Sequence, residues 1–112
     1  MKQITILLAL LIGTDLLANV ENGKAVFAAN CAICHTVNGG RAMGPDLNLA
    51  SYTRTKKEIE DYAKDPYEFY EAFGYSANAM PTLPLEEREF KDVADYIDSL
   101  QPFKKWMKKK KS

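Results

Sequence analysis

Two cysteines and a histidine stand close together as Cys31, Cys34 and His35, in the pattern C-x-x-C-H. Cysteines three positions apart fall on one side of a helical turn, with Cβ atoms about 5–6 Å apart. That separation lets both sulfurs reach the two vinyl groups of one porphyrin and form thioether bonds. His35 follows directly, so its imidazole is carried under the ring, where it can bind iron. The pattern is typical of the covalent attachment of haem c.

Three other kinds of site use similar residues. A thioredoxin-like redox pair also has C-x-x-C, but it needs a βαβ setting that this sequence does not predict. A zinc site would need Cys31, Cys34 and His35 on one tetrahedral ion, yet adjacent cysteine and histidine side chains rarely both reach one metal, and the chain has no further cysteine or histidine. A structural disulfide suits an exported protein but leaves the histidine unexplained.

The iron of such a haem has a second axial position, and His35 is the only histidine. The remaining options are a methionine, another weak ligand or no ligand. Met80, in the sequence N-A-M-P, lies 45 residues after His35 on a proline-containing loop, and we expect it to fold over the opposite face. Met43 is the main rival, although it follows the histidine by only eight residues. Met1 belongs to the leader described below, and Met107 stands among lysines.

The composition fits one small folded domain. The chain has 112 residues, of which 46% are hydrophobic and 27% charged, so a disordered or collagen-like chain is excluded. The formal net charge is zero, which gives no reason to expect a nucleic-acid partner. The charge is nevertheless uneven, because residues 19–103 carry eight basic and 14 acidic side chains, whereas residues 104–112 hold six lysines. We call these two segments the acidic body and the lysine tail.

The N-terminus has the layout of a secretory signal peptide. A positive charge at Lys2 precedes an apolar run over residues 4–12, which is too short to span a bilayer. Ala18 is the best small residue for cleavage, although Leu16 stands where a second small residue is usual. We expect residues 1–18 to be removed, with a retained N-terminal anchor as the alternative, and the remainder to be exported to a bacterial periplasm.

The hydrophobic periodicity predicts helices and no strands. The first predicted helix covers residues 20–30. One face of it carries Gly23, Val26, Phe27 and Asn30. Residues 36–54 contain three glycines and a proline, and we expect a long irregular loop there.

The middle of the chain predicts two short helices. A capping box beginning at Thr55 predicts a helix to about Ala63. Asp65, followed by proline at the first helical position, predicts the start of another helix, which Gly74 closes. Residues 75–84 are expected to form a second long loop.

The clearest helix runs from about Glu86 to Leu100, with three glutamates in its first turn and Pro102 after its end. Leu85 is a poor cap, so the start is not sharply defined. The apolar stripe of this helix is Phe90, Val93, Ala94, Ile97 and Leu100. We therefore predict an all-α fold of four to five short helices and long loops, wrapped around one covalently bound haem that supplies the missing core.

The order of these motifs resembles that of the class I c-type cytochromes. The shared elements are Gly23 and Phe27, C-A-I-C-H at 31–35, G-P-D-L at 44–47, A-M-P at 79–81 and A-D-Y-I at 94–97. The resemblance covers residues 20–100 and implies that the first and last helices cross near Gly23 and Tyr96. It also implies that the carbonyl of Pro45 accepts a hydrogen bond from the other ring nitrogen of His35.

With His35 and Met80 on the iron, no coordination position is open, so we expect a soluble periplasmic one-electron carrier rather than an enzyme. Asn78, two residues before Met80, is expected either to donate to the methionine sulfur and tune the potential, or only to form a turn. The candidates for contacts with the haem propionates are Arg41, Tyr52, Tyr67, Tyr70, Tyr75 and Trp106, which the sequence does not rank.

Two other functions stay open. The first is a monohaem electron-transfer subunit of a multi-component oxidoreductase such as a thiosulfate-oxidising complex, whose haem subunit has a similar layout. The second is a five-coordinate haem sensor or peroxidase, which requires Met80 to be off the iron.

The partners of a carrier would be redox proteins. We expect a quinol-oxidising complex or dehydrogenase as donor and a terminal oxidase or reductase as acceptor, and the acidic body favours a basic partner surface. The lysine tail, next to Phe103, Trp106 and Met107, is expected either to contact anionic lipid at a membrane surface or to remain solvated.

Overall fold

The computed structural model describes residues 17–101, which form five helices and no strand within that range. The helices are α1 (residues 17–30), α2 (Leu47–Thr53), α3 (Lys56–Lys64), α4 (Pro66–Phe69) and α5 (Glu87–Ser99). Long loops join α1 to α2 and α4 to α5. The predicted all-α fold class is confirmed. The lysine tail and residues 1–16 of the predicted signal peptide lie outside the described residues, and no helix of the described part is long and apolar enough to cross a bilayer.

The first and last helices cross in direct backbone contact at Gly23. A Cβ atom built at this glycine would lie 1.9 Å from the carbonyl oxygen of Asp92, so only hydrogen fits between the two backbones. One turn further along, the rings of Phe27 and Tyr96 pack with centroids 5.6 Å apart. The Asn22 side chain donates to the Asp92 carboxylate over 2.7 Å, which satisfies a group that is only 2% exposed. The crossing near Gly23 and Tyr96 is thus confirmed.

The core is small and lies at this crossing. The buried apolar side chains of the described residues are Val26, Phe27, Phe90, Val93, Ala94 and Ile97. They confirm the inward face predicted for α1 and most of the stripe predicted for α5, where Leu100 is only half-buried. Cys31 packs against the edge of this cluster, which brings the end of α1 into contact with the core.

Helix α3 packs against α5 and is joined to it by ion pairs. Lys56 Nζ lies 3.1 Å from Asp95 Oδ1, and Lys64 pairs with both Glu60 and Glu87. Hydrogen bonds to these carboxylates raise the pKa of both lysines. Such surface pairs add little stability, so the packing of α3 on α5 does not rest on them.

Two predicted elements were wrong in their extent. Residues 36–54 are not one irregular loop, because α2 occupies Leu47–Thr53, with Asp46 as the N-cap that accepts a hydrogen bond from Asn48 N. The helix expected to reach Gly74 ends at Phe69, and hydrogen-bonded turns continue to that glycine, whose φ of 89° is left-handed. The start of α2 is thus set by the capping residue Asp46 rather than by apolar periodicity.

The predicted bounds of α3 and α5 and the start of α4 agree with the structure, whereas α1 begins at residue 17 rather than at residue 20. The capping box at Thr55 is present, with Glu58 as its partner, and Asp65 caps α4. Helix α5 begins after Glu86, whose backbone N–H donates to the Glu89 side chain over 3.0 Å, so a glutamate replaces the poor cap that Leu85 would provide.

Substitution of Gly23 by alanine should destabilise the fold by about 2–3 kcal/mol, because the added methyl group forces α1 and α5 apart. In an unconstrained helix the same change stabilises by about 1 kcal/mol. The sign of the change in the free energy of unfolding therefore tests whether α1 and α5 are in close contact at Gly23. Urea denaturation of the holoprotein measures the free energy of unfolding. The exposed neighbour Lys24, changed to alanine, is the matched control and should alter it by no more than about 0.5 kcal/mol. A Gly23→Ala protein as stable as the wild type would contradict the close contact.

Candidate functional site

The three residues of the C-x-x-C-H motif lie on a turn that continues from α1. Cys31 N donates to Phe27 O over 2.8 Å, and His35 N donates to Cys31 O over 2.9 Å, so the backbone keeps a nearly helical path through the motif. All three motif side chains are half-buried. The helix that is fixed at Gly23 therefore holds both thiols and the imidazole on one short, rigid segment.

The raised pKa of the Cys31 thiol argues against a thioredoxin-like redox pair. Burial, together with the neighbouring Cys34, raises the pKa of the Cys31 thiol to about 11. A thioredoxin-like cysteine needs a lowered pKa, because the thiolate is the nucleophile. The structure also gives no support to a zinc site. Within residues 17–101, no three or more histidine, cysteine or acidic side chains form a group that could hold a metal ion.

The His35 ring is held by the backbone of the loop that follows it. Its Nδ1 lies 2.9 Å from the carbonyl oxygen of Pro45, and because a carbonyl only accepts, Nδ1 is the donor. A Cβ atom at Gly44 would lie 2.3 Å from Cε1 and 3.0 Å from Nε2 of the ring, so the imidazole rests directly on this glycine. Gly44 N in turn donates to Cys34 O over 2.7 Å. This arrangement fixes the tautomer and leaves Nε2 as the nitrogen that can bind iron.

Asp46 organises the loop that carries Gly44 and Pro45. Its carboxylate accepts hydrogen bonds from three backbone N–H groups, at 2.9 Å from Asn38, 3.0 Å from Gly40 and 3.0 Å from Asn48. These bonds lower the pKa of Asp46. In the sequence, Asp46 stands out only as part of the G-P-D-L motif. Because no helix is predicted after it, the sequence gives no signal for this role.

The two candidate methionines occupy different settings. Met43, which directly precedes Gly44, is 79% exposed, and its sulfur lies 3.9 Å from Cys34 Sγ. Met80 is half-buried on the loop between α4 and α5. Asn78 donates through Nδ2 to Met80 O over 2.9 Å and accepts at Oδ1 from Met80 N over 3.1 Å. In the structure the Asn78 amide therefore binds the backbone of Met80 rather than its sulfur, which agrees with the turn-forming alternative.

The structure does not gather the candidate propionate contacts into one group. Arg41 and Tyr67 are exposed, and Tyr52 is half-buried on α2. Tyr70 donates to Glu71, and Tyr75 packs edge-on against Tyr62. Trp106 lies outside the described residues. Tyr62, which no sequence motif marks, lies on α3, and its hydroxyl donates to Asn78 Oδ1 over 3.4 Å.

The donor set fits a covalently attached haem. Cys31, at the edge of the core, and Cys34 stand on one turn, and beside them the imidazole of His35 has Nδ1 engaged by the Pro45 carbonyl, so that Nε2 is the ring nitrogen left for a metal. The glycine under the ring leaves no room for a larger residue. The residues present are therefore those that haem attachment and axial ligation require.

Comparison with known proteins gives the same picture. A family model described as Cytochrome c matches residues 20–101. Cytochrome c6 of Pyropia tenera is 34% identical over 95 residues, which cover 80% of this chain and 100% of that protein. Cytochrome c6 of Diacronema lutheri is 31% identical over 81 residues, which cover 70% of this chain and 93% of that one.

The fold has a counterpart among solved structures. A cytochrome c from Rhodothermus marinus superposes with a TM-score of 0.64 at 20% identity, over 75% of this chain and 78% of that chain. At this level of identity the similarity concerns the fold alone.

The lowered pKa of Asp46 predicts acid sensitivity of the loop that holds His35. Because the folded-state pKa lies below the ordinary value of about 3.9, the stabilisation is fully present above that pH and is lost as the pH falls through the folded-state pKa. The free energy of unfolding should thus fall more steeply for the wild type than for Asp46→Asn, which does not titrate. Urea denaturation at several pH values between about 5 and about 2 measures this. Parallel curves for the two proteins would show that the three N–H bonds do not depend on the charge.

Proposed function

We propose that this chain, which belongs to the cytochrome c family, is a soluble periplasmic one-electron carrier whose single haem is bound by His35 and Met80. Family membership confirms the resemblance seen in the motifs. Membership of this family implies one haem c, which is bound covalently through the cysteines of the motif. It also implies a role in electron transfer rather than catalysis.

The hydrogen bond from His35 Nδ1 to Pro45 O is the observation that carries the proposal. A histidine ligand that donates its second nitrogen to a backbone carbonyl has a fixed orientation and a more basic metal-binding nitrogen. Gly44 lets the loop approach close enough for that bond. When bound, the haem supplies an iron centre that alternates between Fe(III) and Fe(II), and a rigid ligand on it keeps the structural change between the two states small.

The position of Met43 favours Met80 as the second ligand. Met43 precedes Gly44, whose backbone lies against the His35 ring, and its sulfur is beside Cys34, so it belongs to the histidine side of the site. Met80 arrives on a separate loop, and its backbone is fixed by two hydrogen bonds. A thioether ligand favours Fe(II) and raises the potential, which suits a carrier that accepts electrons from quinol-linked donors.

Size and charge support a free carrier. The cytochrome c6 of Pyropia tenera aligns over its whole length, so the similarity covers all of that small protein. The acidic body would meet a basic surface on the donor, a quinol-oxidising complex or dehydrogenase, and on the acceptor, a terminal oxidase or reductase. Membership of a larger oxidoreductase would instead give co-purification at fixed stoichiometry.

Replacement of Met80 should leave one axial position of the iron without a protein ligand, whereas replacement of Met43 should not. Ferric Met80→Ala protein is expected to lose the weak near-infrared charge-transfer band of His–Met ligation, and its ferrous form should bind carbon monoxide. Met43→Ala is the matched control and should keep the band and exclude carbon monoxide. The proposal fails if the wild type itself lacks the band and binds carbon monoxide, as a five-coordinate sensor or peroxidase would, or if the band depends on Met43.

Export predicts a shortened mature chain. If residues 1–18 are a cleaved signal, the protein isolated from the periplasm begins at Asn19, and the mass of the intact protein will identify that terminus. A purified chain that still contains the apolar run over residues 4–12 would indicate the retained anchor, and recovery from the cytoplasm with no haem would contradict export.

A further inference from the structure

The side chain of Asn78 binds the backbone of Met80 through two hydrogen bonds. Its side-chain amide donates to the carbonyl of residue 80 over 2.9 Å and accepts from the N–H of the same residue over 3.1 Å, so both backbone polar groups of Met80 are bound by one side chain. The next residue is Pro81, which has no N–H and restricts Met80 to extended backbone conformations. The two constraints together define where the methionine side chain leaves the loop.

The loop around Met80 has little other support. Residues 75–86 contain neither helix nor strand, and within the described part of the chain no backbone-to-backbone hydrogen bond involves residues 76–82. A loop of this kind would otherwise sample many conformations. The two hydrogen bonds from the Asn78 side chain therefore restrain this loop, in place of the backbone-to-backbone hydrogen bonds that restrain a helix or a strand.

Tyr62 connects the Asn78 side chain to helix α3. Its hydroxyl lies 3.4 Å from Asn78 Oδ1, and its ring packs against Phe73 at 5.1 Å and edge-on against Tyr75 at 5.8 Å. Tyr62 is on α3, which is bound to α5. The hydroxyl is protonated over the whole neutral range, since burial raises the pKa of this tyrosine.

Arg54 binds Phe73, which belongs to the same aromatic cluster as Tyr62. Its guanidinium lies 4.2 Å from the centre of the Phe73 ring, and Nη2 donates to Phe73 O over 2.7 Å. The Phe73 ring is thus in contact both with this cation and with the ring of Tyr62. A continuous set of contacts thus runs from the C-cap of α2 to Asn78.

We propose that Asn78 and Tyr62 are positioning residues, which keep the thioether of Met80 on the haem iron by holding the backbone of residue 80. This inference rests on the proposed ligation by Met80 and extends it to residues that touch neither iron nor sulfur. The bond between ferric iron and a thioether is weak, so the equilibrium between bound and released methionine depends on how many conformations the loop gains on release.

Competition by imidazole for the ferric iron measures that equilibrium directly. Imidazole binds only after Met80 has left, so its apparent affinity rises with the fraction of released methionine. Asn78→Ala removes both bonds and should tighten imidazole binding about tenfold, and Tyr62→Phe, which keeps the ring packing, should tighten it about threefold. Asn78→Asp keeps the size and the acceptor but loses the donor to Met80 O, and it should also bind imidazole more tightly than the wild type.

A control and a second measurement separate positioning from general stability. Tyr96→Phe removes a phenolic hydroxyl at the α1–α5 crossing, on a residue that packs against Phe27, and should leave imidazole binding unchanged. The urea midpoint by far-ultraviolet circular dichroism, at saturating imidazole, reports the stability of the fold without the methionine bond and should differ little between Tyr62→Phe and the wild type.

The outcomes distinguish this inference from the proposed function. If the wild type shows no near-infrared band of His–Met ligation, the proposed ligation itself is wrong. If the band is present and both Tyr62→Phe and Asn78→Asp bind imidazole as the wild type does, the ligation stands and the positioning role is refuted. Should Asn78→Ala yield no holoprotein, these two milder variants decide the question alone.

Discussion

The structure depends on the placement of two thiols and an imidazole at the end of a helix that is itself fixed by backbone contact. Gly23 allows α1 to touch α5 at the carbonyl of Asp92, and eight residues later the same helix delivers Cys31 to the edge of the core. The core at that crossing is small, so most of the chain consists of loops with few apolar contacts of their own. Covalent attachment of a large apolar cofactor at this point gives those loops a common surface to pack against.

Both proposed iron ligands are controlled through the backbone. His35 is oriented by the carbonyl of Pro45, and the segment that carries Pro45 is held by three N–H bonds to Asp46. Met80 is presented by a loop whose backbone groups are bound by the Asn78 amide. In each case one polar side chain organises several backbone groups of a segment that has no regular secondary structure. A site of this kind changes little between oxidation states, which is what rapid electron transfer requires.

The sequence predicted the parts of the fold that are set by periodicity or by a local motif. The stripe of α5, the face of α1 and the capping box at Thr55 all follow from residues that are neighbours along one helix. Helix α2 was missed because its start depends on the Asp46 carboxylate, whose N–H donors at residues 38 and 40 reach it only after the loop has folded back. Likewise, no periodicity reveals that Tyr62 meets Asn78, since the two lie on different elements that come together only in the tertiary fold.

The covalent bond between the chain and its haem is the central claim, and the mass of the denatured protein tests it most directly. After unfolding in acid, the purified chain should have the mass of the polypeptide plus one haem, and it should lose that addition only when both Cys31 and Cys34 are replaced by alanine. A wild-type chain that shows the mass of the bare polypeptide, with the pigment released on denaturation, would contradict the account.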